Sequence, residues 1–94
     1  MKTIEGMKKA IVPILKRYGV KKAALFGSTV KETSREGSDV DILVEIEADI
    51  SLLDFIELKQ ALEDRLGRKV DLVEYSAIKP LLRERILGEQ VVIV

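Results

Sequence analysis

The 94-residue chain contains no cysteine and no histidine. Without cysteine there is no disulfide, no thiolate nucleophile and no sulfur-ligated zinc. Without histidine the commonest general base and metal ligand near neutral pH is gone. Any metal must therefore be held by oxygen, which favours Mg²⁺, Mn²⁺ or Ca²⁺ over zinc or copper. Asparagine is absent too, and with 34% charged residues the composition is of the heat-adapted kind. No apolar run approaches the roughly 18 residues of a membrane-spanning helix, and Lys2, Lys8 and Lys9 interrupt any signal-peptide core. A cytoplasmic protein with no membrane partner is expected.

A chain of this length is read as one domain over residues 1–94, burying roughly 60 to 68 per cent of its unfolded surface, with no room for a separate substrate domain. Sixteen basic residues balance sixteen acidic ones, so the total charge points to no partner. The distribution is uneven. Nine basic and three acidic residues precede Ser38, and seven basic and thirteen acidic follow from it. A basic edge facing phosphates and an acidic strand pair holding cations would have this polarity, as would ordinary solvated helix faces.

Ile4, Met7, Ile11, Ile14, Leu15 and Tyr18 recur at helical spacing, with Pro13 expected to kink or divide the helix and Gly19 to end it. Lys21 to Phe26 reads as a short strand that turns at Gly27 and Ser28. Thr29 with Glu32 resembles a capping box, so a brief helix with anion-attracting amides is expected there. From Ser38 to Glu47 the pattern alternates: Val40, Ile42, Val44 and Ile46 take one face, Asp39, Asp41, Leu43 and Glu45 the other. Ser51 and Asp54 open a second helix whose predicted apolar stripe is Leu52, Phe55, Ile56, Leu62 and Leu66, stopped at Gly67. Lys69 to Glu74 is a third strand with Asp71 outward. Ser76 to Leu87 is a last helix, Pro80 being tolerable only in its first turn and Gly88 closing it. The run Val91 to Val94 is an apolar strand at a sheet edge, which invites pairing by a second copy of the chain, as a homodimer, or by a bound partner. The class is α/β (α+β), a small mixed sheet flanked by helices.

The chemistry lies in Phe26-Gly27-Ser28, followed after ten residues by Asp39-Val40-Asp41. Side chains two apart on a strand point the same way with about 7 Å between their Cα atoms, so Asp39 and Asp41 can serve a common point. Two cations about 3.5 to 4 Å apart fit between such carboxylates. Asp71, in Val70-Asp71-Leu72-Val73, is the third candidate, and three carboxylates share one face if its strand neighbours that of Asp41. Gly27 would let backbone amides approach a phosphate and Ser28 could donate a further hydrogen bond. Each half of the pattern alone is also what a plain turn or a solvated strand face would show. A calcium loop does not fit, because Ile42-Leu43-Val44 follows where such loops need oxygen ligands and a glycine.

The stretch FGSTVKETSREGSDVDILVE resembles the signature of the DNA polymerase beta type nucleotidyltransferases, Gly-Ser followed at this distance by Asp-x-Asp. With its short length and later strand aspartate, the chain looks like a minimal nucleotidyltransferase, the small partner of HEPN-domain proteins in prokaryotic toxin–antitoxin pairs. The resemblance runs from about Ile11 to Val94. It implies that Gly27 and Ser28 hold the triphosphate of ATP or another nucleoside triphosphate. It further implies that Asp39 and Asp41 ligate metal, two Mg²⁺ ions with Mn²⁺ as substitute, and that Asp71 completes the metal site and assists deprotonation of the attacking hydroxyl. The implied activity is transfer of AMP from ATP to a HEPN-family toxin, the chain acting as antitoxin.

The chain departs from the family's Gly-Ser-Arg-x-Arg-Gly after the serine. Lys31 stands for the second arginine as a point charge without a bidentate fork. Thr29 does not replace the first, and Glu32 brings a like charge near the phosphates. Lys21, Lys22 and Arg35 are read as solvated surface. These departures leave a second reading: an antitoxin that binds and silences a HEPN toxin with a vestigial nucleotide site.

Overall fold

A computed structural model describes residues 3–30, 39–46 and 50–94, with only the backbone of Ser28 and Thr29. Helix α1 (Ile4–Arg17) opens on Thr3, whose Oγ1 accepts from the Gly6 N–H at 3.0 Å. Glu5 in its first turn and Lys16 and Arg17 in its last complement the helix dipole. Pro13 does not divide the helix. The ring is exposed, so the carbonyl of Lys9 that loses its amide partner lies on the side where water can replace it. The chain leaves through Gly19, in the left-handed region at φ 76°.

Four strands form one sheet in the order β3-β2-β1-β4, with β1 at Val20–Phe26, β2 at Val40–Ile46, β3 at Val70–Glu74 and β4 at Val91–Val92. β1 runs antiparallel to β2 and to β4, whereas β2 and β3 are parallel. A parallel pair needs a crossover, and helix α2 (Leu52–Leu66) supplies it. As expected, Ser51 Oγ caps α2 by accepting from the Asp54 N–H at 3.1 Å, and Gly67 ends it at φ 67°. The apolar carboxyl terminus does lie at the sheet edge, but only Val91 and Val92 form regular strand.

The last helix is shorter than its expected span. Helix α3 (Pro80–Glu89) begins at Pro80 because a proline restricts the residue before it, and Lys79 is extended at φ −63°, ψ 137°. Tyr75–Ala77 form a separate 3-10 turn. Gly88 is not the stop, since the helix runs on to Glu89.

Both faces of the sheet are covered. On one, Ala23, Leu25, Val40, Ile42, Val44, Val70 and Leu72 pack with Met7, Ile11 and Leu15 of α1 and Leu58, Leu62 and Leu66 of α2. On the other, Ala24 and Leu43 pack with Tyr75 and Ile78, joined by Phe26, Val73, Ile86 and Leu87. Leu43 therefore has no exposed surface although its strand neighbours on that face are Asp41 and Glu45.

The stripe of α2 also needs correction. Phe55, Leu58, Leu62 and Leu66 face the core, while Leu52 and Ile56 are 75% and 52% exposed. At about 100° per residue, Ile56 lies roughly 160° round the helix from Leu58, so both cannot share the buried row. Among the described residues no helix is long and apolar enough to cross a membrane.

Candidate functional site

The topology brings three chain segments to one end of the sheet. Because β1 opposes β2 and β2 parallels β3, the exit of β1 and the entries of β2 and β3 lie together. Phe26 is the register partner of Asp41 across β1 and β2, and Asp41 is the register partner of Asp71 across β2 and β3. Neighbouring strands are about 4.8 Å apart, so the two aspartates start from adjacent backbone positions.

Strand parity puts them on the same face. Val40, Ile42, Val70 and Leu72 belong to the α1/α2 core, whereas Leu43 and Val73 belong to the opposite one. Asp41 and Asp71 alternate with the first set and so share the second face. Asp39, immediately before β2, has the same parity. Asp41 is half-buried, and Asp39 and Asp71 are exposed.

Two hydrogen bonds hold the strand entries. The Val40 N–H donates to the Lys69 carbonyl at 2.9 Å, joining the first residue of β2 to the residue before β3. The Val70 N–H donates to Glu63 Oε2, also at 2.9 Å, tying the entry of β3 to helix α2. One residue further on stands Asp71. Nothing in the sequence pattern marked Glu63, since a glutamate on an amphipathic helix reads as solvated surface.

After Phe26 the chain forms a 3-10 turn, Gly27–Val30. The brief helix expected to begin at Thr29 runs into residues that lie outside the described ones. Gly27 has φ 61°, and a methyl group built on it would run into Asp41 Oδ2 and approach Asp41 Cγ to 3.3 Å. Gly27 is thus in close contact with the strand aspartate. The side chains of Ser28 and Thr29, and the whole of Lys31, Glu32 and Arg35, lie outside the described residues.

The donor set suits a hard divalent cation: two same-face carboxylates side by side, a third at the strand entry, and oxygen throughout. Among the described residues, however, no three His, Cys, Asp or Glu side chains are grouped so that they could hold a metal ion. The fold aligns the backbone positions of Asp39, Asp41 and Asp71 without gathering their side chains into a closed cluster.

The far end of this face is different. Lys22, partner of Glu45 in the β1–β2 ladder, holds Nζ 5.0 Å from the centre of the Tyr75 ring. Lys22 stands four strand positions from Phe26, about 13 Å, which keeps that charge away from the aspartates. Tyr75 donates its hydroxyl to Gln90 Oε1 at 2.6 Å, and its carbonyl accepts from Arg83 Nη1 at 3.1 Å. Burial, aided by the nearby Glu45 carboxylate, raises the Tyr75 hydroxyl above its usual pKa of 10.0.

A mixed four-stranded sheet in this order, flanked by helices, is the nucleotidyltransferase fold. The chain belongs to the polymerase beta nucleotidyltransferase family, whose model matches residues 9–94. It is 49% identical over 88 residues to a Methanocaldococcus jannaschii protein assigned as a protein adenylyltransferase, covering 94% of this chain and 95% of that one. It is 48% identical over 75 residues to the protein adenylyltransferase MntA of Thermococcus cleftensis, covering 80% of this chain and 76% of that one. Among solved structures, one described as a minimal nucleotidyltransferase superposes with a TM-score of 0.82 at 38% identity, covering 96% of this chain and 92% of the other. A toxin–antitoxin structure with AMP-PNP gives a TM-score of 0.80 at 25% identity, covering 93% of this chain and 72% of that one. The α/β fold with a mixed sheet and the family expected from Gly27-Ser28 and Asp39-x-Asp41 are both as the sequence implied.

Proposed function

We propose that this nucleotidyltransferase moves AMP from ATP to a hydroxyl on a partner protein of the HEPN class, and that it acts by this route as an antitoxin. The observation that carries the reading is the register pairing of Asp41 with Asp71 beside the Gly27 turn. The names of the relatives support AMP as the group transferred, and the complex with AMP-PNP supports ATP as its source and a toxin as partner.

In this reading Asp39, Asp41 and Asp71 hold Mg²⁺, with Mn²⁺ as substitute. Bound there, the metal supplies charge neutralisation and lowers the pKa of the acceptor hydroxyl. Gly27 and Ser28 seat the triphosphate, and Lys31 adds positive charge. The hydroxyl oxygen forms a bond to the α-phosphorus, the bond from that phosphorus to the bridging oxygen breaks, and pyrophosphate leaves. The acceptor's proton passes to Asp71 or to water. Acceleration comes mainly from positioning the two reactants and from electrostatics at the α-phosphorus.

The residues after Ser28 favour one competing reading, a non-catalytic antitoxin. Thr29 and Glu32 replace an arginine and a glycine of the family pattern, which weakens the grip on phosphate. ATP labelled on the α-phosphate, with Mg²⁺ and a HEPN-class protein as acceptor, separates the two. Covalent label on the partner supports transfer. Stoichiometric silencing of the partner without label supports the binder.

A further inference from the structure

Gly27 follows β1 directly, and its usual explanation in such a turn is backbone freedom: at φ 61° an L-residue with a side chain is strained. A second constraint is steric and comes from the neighbouring strand. The position a Cβ would take is occupied by the Asp41 carboxylate, with Oδ2 in collision, Cγ at 3.3 Å and Asp41 Cβ at 3.6 Å. Only the last is an ordinary van der Waals separation. The obstruction is therefore the carboxylate group itself, not the backbone of β2.

We infer that Gly27 is a positioning residue for Asp41: its missing side chain leaves the space in which the Asp41 carboxylate lies, and so sets that side chain's rotamer. Any β-carbon at residue 27 turns the Asp41 carboxylate away from the shared face with Asp71 or pushes the turn off the end of β1. A carboxylate held half-buried by packing on one side has fewer rotamers open to it than one on a free strand surface. The functional importance of this contact rests on the proposed role of Asp41 in the transfer site, but the contact itself does not.

A double-mutant cycle on thermal stability tests it, using Gly27→Ala, Asp41→Ala and the pair in the full chain. Strain from the positive φ is the same whatever occupies position 41, so it cancels in the cycle. The expected result is that Gly27→Ala lowers the unfolding midpoint less in the Asp41→Ala background than in the parent. Equal drops in the two backgrounds overturn the inference. If Gly27→Ala alone does not fold, a folded double variant supports it, and failure of both to fold overturns it, because the cost then belongs to the backbone.

Positioning is read separately by titrating Mn²⁺ without nucleotide. Gly27→Ala is expected to weaken binding at least 10-fold although residue 27 offers no ligand, and parental affinity in that variant overturns the positioning role. Parental Mn²⁺ affinity in Asp41→Ala would instead remove the proposed metal role of Asp41, an outcome distinct from the result of the stability cycle.

Discussion

Asp41 and Asp71 are register partners on adjacent parallel strands, on the same face of the sheet, although they stand thirty positions apart in the chain. Helix α2 makes that pairing, since it returns the chain to the end of the sheet where β2 began. Glu63 on α2 then accepts from the Val70 N–H and holds the entry of β3.

Glu63→Ala should therefore cost about 1.5 to 3 kcal/mol, the usual scale for losing a hydrogen bond to a charged group. Glu63→Gln should cost less, because the amide oxygen still accepts. Urea unfolding of the three proteins measures the order. Amide hydrogen exchange at Val70 should accelerate in the alanine variant.

Helix α2 offers a sharp contrast between two apolar side chains two positions apart. Leu58 has no exposed surface and Ile56 is 52% exposed. Leu58→Ala should destabilise by about 2 to 5 kcal/mol, as buried leucine truncations do, and Ile56→Ala by about 1 kcal/mol or less. Equal losses in chemical denaturation would contradict the packing described.

Much of this was legible in the sequence, and the failures share a cause. The alternation from Val40 to Ile46 gave β2 its faces directly, and Ser51 and Gly67 marked both ends of α2, because caps and period-two patterns are local. What local pattern could not supply was what covers each surface. The alternation places Leu43 on the face of Asp41 and Glu45, but only the tertiary structure shows that Tyr75 and Ile78 cover it. Leu52 and Ile56 looked like core because they are apolar and recur, whereas Leu58 carries the packing. The candidate site divides the same way: its aspartates could be named from spacing, but the pairing of Asp41 with Asp71 and the closeness of Gly27 to Asp41 depend on strand order. Lys22 reads in the sequence as solvated surface, whereas it is half-buried over the Tyr75 ring, a tertiary contact that no motif encodes.

Tyr75 gives a pH prediction. Burial first, then the Glu45 carboxylate, raises its pKa above 10.0, so the folded protein keeps the hydroxyl proton to higher pH than the unfolded chain does. The associated stability is full below the unfolded pKa and is lost as pH rises through the folded one. Tyr75→Phe loses the bond to Gln90 but also this titration. Its unfolding midpoint should be lower than the parent's at pH 8, and the difference should narrow between pH 9 and 11.

The central claim is that the aspartates at the strand entries perform AMP transfer. Its most direct test is covalent labelling of the HEPN partner from ATP labelled on the α-phosphate, comparing the parent with Asp41→Asn and Asp71→Asn after circular dichroism shows all three folded. The account predicts strong labelling by the parent and a loss of about 10²- to 10³-fold with Asp41→Asn, the scale expected when charge stabilisation of a transition state is removed. Asp71→Asn should fall in the same direction. Labelling by Asp41→Asn at the parental rate would contradict the account.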